Sequence, residues 1–184
     1  MWQSVLRSKR FALVVMGAPL IGAISIGTSV RAQSWADIGN YSSLLRRAGT
    51  QTLVAKDCPY GLLGAFHEGR NALLLCSNNL ENDPAHVWTV LAHESAHVMQ
   101  HCQQGALLPD HQIDSALAQI GKQSLSSFQE LRLYHQSQRR DEIEARLVQE
   151  LPMAEVEALF RGFCGDRLRR RAPKSIPAVG LGDG

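Results

Sequence analysis

Two kinds of hydrophobic spacing divide the chain. In its first half, short apolar runs at residues 52–56, 62–67 and 72–76 are separated by segments rich in turn-forming residues. Short apolar runs between turns predict a small antiparallel sheet. From residue 83 onward the apolar positions recur at helical spacing. Strand patterns followed by helix patterns along the chain predict an α+β fold in which the small antiparallel sheet is followed by a helical bundle.

The first helix after the sheet is predicted to begin at Pro84 and to stop at Gly105. Asp83 is a good N-cap residue, proline is tolerated at the first helical position, and glycine commonly ends a helix. Its apolar positions form a wide stripe, so this helix should be largely buried. The stripe consists of Trp88, Leu91, Ala92, Met99 and Cys102, widened by Val87, Val90 and Val98.

Further helices are predicted on both sides of this one. They span residues 43–48, 110–120, 126–151 and 152–163. Gly165 should close the last of them. Residues 166–184 carry a basic cluster without apolar periodicity. We expect a solvated, disordered tail there in preference to a binding patch.

The start of the chain has the composition of a secretory signal peptide. Basic residues precede an apolar run, and cleavage is predicted after Ala32. An uncleaved membrane anchor is the alternative, because residues 11–30 approach the length that spans a bilayer. Glycine and proline within the run favour a transient segment. The predicted organisation is a signal peptide at 1–32, one domain at 33–165 and a tail at 166–184.

Charge and export narrow the range of partners. Cleavage after Ala32 removes four of the 19 Lys and Arg residues and none of the 17 Asp and Glu residues. The mature protein is then mildly acidic, which argues against nucleic acid as a partner. We expect a secreted or periplasmic protein that has no contact with the membrane after cleavage. The sequence leaves the oligomeric state open.

Four cysteines follow the predicted cleavage position, and an even number in an exported chain predicts two disulfides. Three pairings are possible, and the order along the chain favours Cys58 with Cys76 and Cys102 with Cys164. No two of these cysteines have C-x2-C spacing, which argues against an all-cysteine zinc site.

The strongest chemical signal lies within the predicted buried helix, where His93, Glu94 and His97 form the pattern H-E-x-x-H. Residues four apart lie on one helix face with Cβ atoms about 6 Å apart, so the two imidazoles can bind one Zn²⁺. Glu94 is turned by about 100° from His93, where it can act as general base for a zinc-bound water. A pair of structural histidines in the core is the alternative interpretation.

His101 continues the same helix face but cannot complete the site. It lies eight residues from His93, about 12 Å along the helix, which is too far for the three histidines to hold one ion. We expect it to act as a cation near the helix C-terminus or to support the site from outside. Gln100 and Gln103 stand where a longer histidine pattern would need glycine and histidine. A third ligand must therefore come from another segment.

The segment that best supplies this ligand reads SQRRDEIEARLVQEL, with Asp141, Glu142 and Glu144 on a second predicted helix. Together with H-E-x-x-H, it resembles the E-x-E-A-D element of the M48-type gluzincins, a group of zinc peptidases that includes the CaaX prenyl proteases. The resemblance is close over residues 93–97 and 139–146. It implies that Glu142, at the first glutamate of the element, is the third zinc ligand.

The resemblance also implies a zincin-like fold, here as a stand-alone core without the membrane helices of that family. A strand beside the zinc helix would pair with an extended peptide substrate, and residues 72–76 are the expected edge strand. Main-chain pairing of this kind makes sequence preference broad.

One position departs from the family pattern. Arg146 stands where the element ends in aspartate, and arginine cannot accept the hydrogen bond by which a carboxylate orients a zinc-bound histidine. Asp141, Glu144 or a backbone carbonyl is the expected substitute. Glu142 also has a structural interpretation, as a surface ion pair with Arg139 and Arg146 on one helix.

A peptidase also needs a donor that stabilises the negative charge of the tetrahedral intermediate. His135 lies seven residues before Glu142, two turns away on the same predicted helix face, and is the expected donor. Tyr134 is a weaker choice, and packing is the alternative role for both.

These patterns together predict a zinc-dependent endopeptidase. His93, His97 and Glu142 would bind Zn²⁺, Glu94 would activate water, and a peptide or protein would be the substrate. The alternative is a catalytically inactive, zincin-like binding or scaffold domain of the cell envelope. A third hypothesis is an envelope-associated protein whose histidines are structural.

Overall fold

The computed structural model describes residues 34–123, 129, 131 and 135–170. The predicted signal peptide, Tyr134 and the part of the predicted tail beyond residue 170 lie outside the described residues. The described residues form an α+β fold with one small sheet and several helices. The predicted fold class is confirmed at this level.

The sheet has three strands, β1 (Gln51–Ala55), β2 (Gly64–His67) and β3 (Ala72–Cys76), in the order β1-β3-β2. β3 pairs with β1 in parallel and with β2 in antiparallel orientation. The all-antiparallel prediction is therefore wrong, because the hairpin of β2 and β3 folds back so that β3 lies between the two earlier strands. The prediction that residues 72–76 form the edge strand is wrong for the same reason.

Asn71 holds the parallel strand pair in register. Its backbone is left-handed, with φ of 47°, a conformation that asparagine adopts more readily than most residues. Its carbonyl oxygen accepts a hydrogen bond from Gln51 N–H at 3.0 Å. Its side-chain amide donates to the Gly49 carbonyl at 2.8 Å, and its side-chain oxygen accepts from the Thr50 hydroxyl at 2.9 Å. The start of β1 is thereby fixed beside the start of β3.

The helices are α1 (Trp35–Arg47), α2 (Pro84–Gln103), α3 (Ile113–Gln123), α4 (Gln136–Val148), α5 (Met153–Phe163) and α6 (Gly165–Arg170). Helix α2 is the central element, because it packs against β2, β3, α1, α4 and α5. In the described part of the chain, no helix combines the length and apolar character needed to cross a bilayer.

The predicted ends of α2 agree closely with the structure. Asp83 caps the helix by accepting a hydrogen bond from His86 N–H at 3.0 Å, and Pro84 is its first residue. Gln104 takes the left-handed conformation that ends the helix, with φ of 58°. The helix thus ends just before the predicted stop at Gly105.

Helix α1 is longer than predicted. It begins at Trp35 instead of residue 43, because Ser34 and Asp37 form a reciprocal capping box. Tyr41 of α1 packs edge-on against Trp88 of α2, with ring centroids 5.1 Å apart. This pair helps to join α1 to the central helix.

The single helix predicted over residues 126–151 is also wrong. Leu131 lies in a 3₁₀ turn and His135 lies outside any helix, so α4 begins only at Gln136. The Arg139 side chain donates to the Leu131 carbonyl at 3.2 Å. This hydrogen bond joins the 3₁₀ turn at Leu131 to the first turn of α4.

The predicted start of the disordered tail, at residue 166, lies too early in the chain. Gly165 starts α6 instead of closing the last helix, so residues 166–170 are helical. Arg167 of α6 donates to the His101 carbonyl at 3.0 Å. This hydrogen bond attaches α6 to the last turn of α2.

Both predicted disulfides are present. Cys58–Cys76 joins the loop after β1 to the end of β3, and Cys102–Cys164 joins the last turn of α2 to the end of α5. Disulfides persist in oxidising compartments. The two bonds are therefore compatible with an extracellular or periplasmic protein.

Removal of Cys102–Cys164 should destabilise the fold more than removal of Cys58–Cys76. The stabilisation grows with the length of the closed loop, and the sequence separations are 62 and 18 residues. We expect Cys102→Ala/Cys164→Ala to lower the free energy of unfolding by roughly 4 kcal/mol, about 1 kcal/mol more than Cys58→Ala/Cys76→Ala. Urea denaturation measures both losses, and a larger loss from the shorter loop would contradict this account.

Candidate metal centre

Helices α2 and α4 bring three metal-ligating side chains together. His93 and His97 are one turn apart on α2, and Glu142 lies on α4. Glu142 Oε2 lies 3.5 Å from His93 Nε2, and Glu142 Oε1 lies 3.5 Å from His97 Nε2. Ligand atoms from the three residues all lie within 4.8 Å of one another, so the group could hold a metal ion.

The distances suit a shared ion better than direct hydrogen bonds. Well-formed N–H···O bonds measure about 2.7–3.2 Å, whereas two ligands at about 2.0–2.1 Å from a tetrahedral ion are about 3.3–3.4 Å apart. Glu142 Oε2 is buried and has no hydrogen-bond partner among the described residues. Such an oxygen is costly to leave unsatisfied, and a bound cation would satisfy it.

Gln100 fixes which nitrogen of His97 faces the site. Its Nε2 donates to the Asp141 carbonyl at 3.0 Å and to Glu144 Oε2 at 2.9 Å. The other amide atom is therefore the oxygen, which lies 2.8 Å from His97 Nδ1 and can only accept. Nδ1 must carry the proton, so in the neutral ring Nε2 presents its lone pair to the site. This is the form of imidazole that binds a metal.

Gln149 orients His93 in the same way. Its Oε1 lies 3.0 Å from His93 Nδ1, and its Nε2 donates to Glu150 Oε1 at 3.2 Å. Each histidine thus contacts an amide oxygen where the family pattern led us to expect a carboxylate or a backbone carbonyl. The sequence analysis missed both glutamines, although Gln100 follows His97 by three residues on one helix face.

Glu144 accepts a hydrogen bond from Gln100 and helps to fix its side chain. The residue is fully buried, and its carboxylate accepts from Leu107 N–H at 2.8 Å and from Leu108 N–H at 2.9 Å. Arg140 Nε lies 3.6 Å away. A buried charge is tolerated only when such partners surround it. Glu144 therefore ties the segment after α2 to α4 and holds Gln100 in place.

Arg146 and the two histidines keep Glu142 ionised. Burial alone would raise the pKa of Glu142, but His93, His97 and Arg146 outweigh burial and hold this pKa below its usual range. The interpretation of Glu142 as an exposed surface ion pair does not fit, because its side chain is only 13% exposed and faces both imidazoles.

Glu94 lies beside the three ligands, as the motif spacing predicts, and is only 7% exposed. Burial raises its pKa to about 7, although His97 and a hydrogen bond from the Phe66 backbone lower it and the charge of Glu142 adds to the rise. A nearby cation would lower this pKa again. The carboxyl group can therefore exchange a proton near neutral pH.

The site opens into a cavity of about 360 Å³. The edge strand β2 and Glu68, the residue after it, form one wall, and side chains of α2 and α4 form the rest. The cavity is lined by Gly64, Ala65, Phe66, Glu68, His93, Glu94, His97, Gln100, Gln138, Asp141 and Glu142.

His135, the predicted oxyanion donor, is not among the described residues that line this cavity. It is exposed and precedes the first residue of α4, so its predicted place on the helix face of Glu142 is wrong. Gln138 of α4 lines the cavity instead and carries amide donors. His101 also lies outside the ligand group, and its ring lies 5.6 Å from that of Phe66.

Gly64 allows β2 to approach α2 closely beside Glu94. A Cβ atom at this position would lie 2.8 Å from Val90 Cγ1, 3.0 Å from Glu94 Cγ and 3.1 Å from Glu94 Oε1. Contacts this short require the side chains of Val90 and Glu94, or the strand itself, to shift. The close packing of β2 on the site therefore depends on glycine.

Gly64→Ala should destabilise the protein. The added methyl group has no space, and overpacking of this kind typically costs about 1–3 kcal/mol. Gly39→Ala in α1 is the matched control, because a Cβ there has no neighbour within 4 Å; it should be neutral or stabilise by up to about 1 kcal/mol. Urea denaturation compares the two. Equal effects would show that the close approach of β2 is not constrained.

Gln100→Ala should weaken metal binding without removing a ligand. Loss of a partner that orients a histidine typically lowers metal affinity 10–100-fold. Gln103→Ala, on the exposed end of the same helix, is the control and should retain the affinity of the wild type. Competition with a chromophoric zinc chelator measures both constants, and an unchanged affinity in Gln100→Ala would contradict the orienting role.

Comparison with known proteins places the chain in a family. No curated protein and no solved structure matches the chain significantly. A family model matches residues 43–165, from within α1 to the first residue of α6, a range that includes the three ligands and Glu94. The chain belongs to the family described as "Domain of unknown function (DUF8637)".

Proposed function

We propose that this protein is a zinc-dependent endopeptidase. The observation that carries the proposal is the convergence of His93, His97 and Glu142, with Glu94 beside them and a sheet edge along the cavity. Two imidazoles and one carboxylate are a ligand set of catalytic zinc sites, in which the fourth position is left to water or substrate.

His93, His97 and Glu142 would hold zinc, which would supply polarisation of the substrate carbonyl and a lowered pKa of water, so that hydroxide is available for attack at neutral pH. Glu94 takes the proton from the attacking water and later delivers it to the leaving amine. Its burial against β2 keeps this carboxyl group close to the ligands. Gln138 is the candidate donor to the developing oxyanion, in place of His135.

Substrate binding is proposed for the free edge of β2, since β3 is central. The Leu63 carbonyl accepts a hydrogen bond from Cys76 N–H at 2.9 Å. Backbone groups alternate along an antiparallel pair, so those of Gly64 and Phe66 face the free edge. The Phe66 N–H is hydrogen-bonded to Glu94, so the Phe66 carbonyl and the Gly64 groups are the ones proposed to pair with a peptide. An extended peptide added there would lie across the metal ligands. Main-chain pairing of this kind supports a broad sequence preference.

The proposed cellular setting is outside the cytoplasm, in the periplasm or the extracellular medium. The two disulfides support this setting. The zincin-like fold and the relation to M48-type gluzincins belong to the same proposal, and rest on the H-E-x-x-H motif and the Glu142 helix.

The purified full chain, produced with its disulfides, should bind about one zinc per chain and cleave unfolded protein substrates in a chelator-sensitive manner. Glu94→Gln should retain zinc and lose at least about 100-fold in cleavage rate, because the general base is gone. Glu157→Gln, an exposed position on α5, is the control and should be unaffected.

Metal analysis measures the zinc content, and a fluorescent casein assay measures the cleavage rate. The absence of bound zinc at neutral pH would overturn the metal site. Bound zinc without any cleavage would favour the inactive scaffold domain instead.

A further inference from the structure

A second cavity continues the cleft on the other side of the ligand cluster. It measures about 350 Å³ and shares Gly64, His93 and Glu94 with the first. The first cavity extends toward Glu68, beyond the carboxyl end of β2, whereas the second extends toward Gly61 before its amino end. The ligands therefore lie between two lobes of one cleft.

The two lobes carry opposite charge. Glu68 and Asp141 line the first lobe, whereas Arg146 lines the second. Arg146 lies one helical turn after Glu142, about 6 Å along α4. Among the described residues that line the two lobes, Arg146 therefore places a positive charge next to the proposed reaction centre on the side of the second lobe.

The second lobe also has an apolar wall with a fixed backbone. Leu62 and Leu63 in this wall are each 36% exposed. The loop before β2 is closed by Cys58–Cys76, and the Asn79 amide donates to the Pro59 carbonyl at 2.7 Å and to the Leu62 carbonyl at 2.8 Å. Because this wall is already fixed, ligand binding loses little conformational entropy in ordering it.

We propose that the second lobe is a subsite for a carboxylate of the substrate, and that Arg146 recognises it. This proposal rests on the peptidase function proposed above. Arginine presents a rigid fork of donors that matches a carboxylate and remains charged at any physiological pH. The residue that departs from the E-x-E-A-D pattern thus becomes a determinant of specificity.

The direction of β2 places this carboxylate on the C-terminal side of the cleaved bond. Antiparallel pairing is the more stable arrangement, and a peptide paired so on β2 has its C-terminal part at the amino end of the strand. That end adjoins Arg146. The carboxylate is therefore either an Asp or Glu side chain downstream of the bond or the free C-terminus of a short peptide, while Glu68 and Asp141 disfavour acidic residues upstream.

Peptide binding to the zinc-loaded full chain tests the subsite independently of catalysis. The probes are fluorescein-labelled random octapeptide pools in four forms: free C-terminal acid, C-terminal amide, and amide with either Glu or Gln fixed at the seventh position. Fluorescence anisotropy with Glu94→Gln, which should not cleave the probes, gives the dissociation constants. The same pools are then used in cleavage assays with the unsubstituted enzyme.

We expect the free-acid pool, the Glu pool or both to bind about tenfold or more tightly than the matched neutral pool, as a charge-assisted hydrogen bond implies. Comparison of the free-acid pool with the amide pool measures recognition of the terminal carboxylate. Comparison of the Glu pool with the Gln pool measures recognition of a side-chain carboxylate. Adding Arg146→Gln to the Glu94→Gln variant should abolish the preference, whereas adding Arg161→Gln, at an exposed position of α5, should leave it unchanged.

The outcomes separate the two proposals. Cleavage without any carboxylate preference, or with a preference that survives Arg146→Gln, overturns the subsite and leaves the peptidase. A preference that depends on Arg146 without cleavage supports the subsite and counts against the peptidase. Failure of all pools both to bind and to be cleaved overturns both.

Discussion

The contact between α2 and α4 through Gln100 is the constraint on which the site depends. One amide group donates to the Asp141 carbonyl and the Glu144 carboxylate of α4, and its oxygen orients His97 on α2. The same hydrogen bonds that join the helices thus set the tautomer of His97, one of the ligands. Because Glu142 is on α4, any shift of that helix would separate it from both imidazoles.

The sheet completes the site from the opposite side. Gly64 lets β2 pack against Glu94, and the burial that results raises the pKa of this carboxyl group. Cys58–Cys76 and Asn79 attach the loop before β2, which forms the apolar wall of the second lobe, to the end of β3 and the turn after it. The lobes on either side of the ligands differ in charge, so the two ends of the cleft would bind different parts of a substrate.

Local signals in the sequence predicted local features well. Asp83 and Pro84 located the start of α2, and the spacing of His93 and His97 placed both imidazoles on one face. The order of strands depends on non-local pairing, which turn residues do not encode. The uninterrupted apolar run at Ala72–Cys76 was nevertheless a signal for a central strand buried on both faces. His135 was misplaced because the helix periodicity was extended back beyond Gln136, where α4 begins.

The most direct test of this account is an anomalous difference map, recorded at the zinc absorption edge, from crystals of the zinc-loaded protein. The account predicts one strong peak about 2 Å from His93 Nε2, His97 Nε2 and a Glu142 carboxylate oxygen, with one position open to solvent. A peak elsewhere, or no peak between these three side chains, would contradict it.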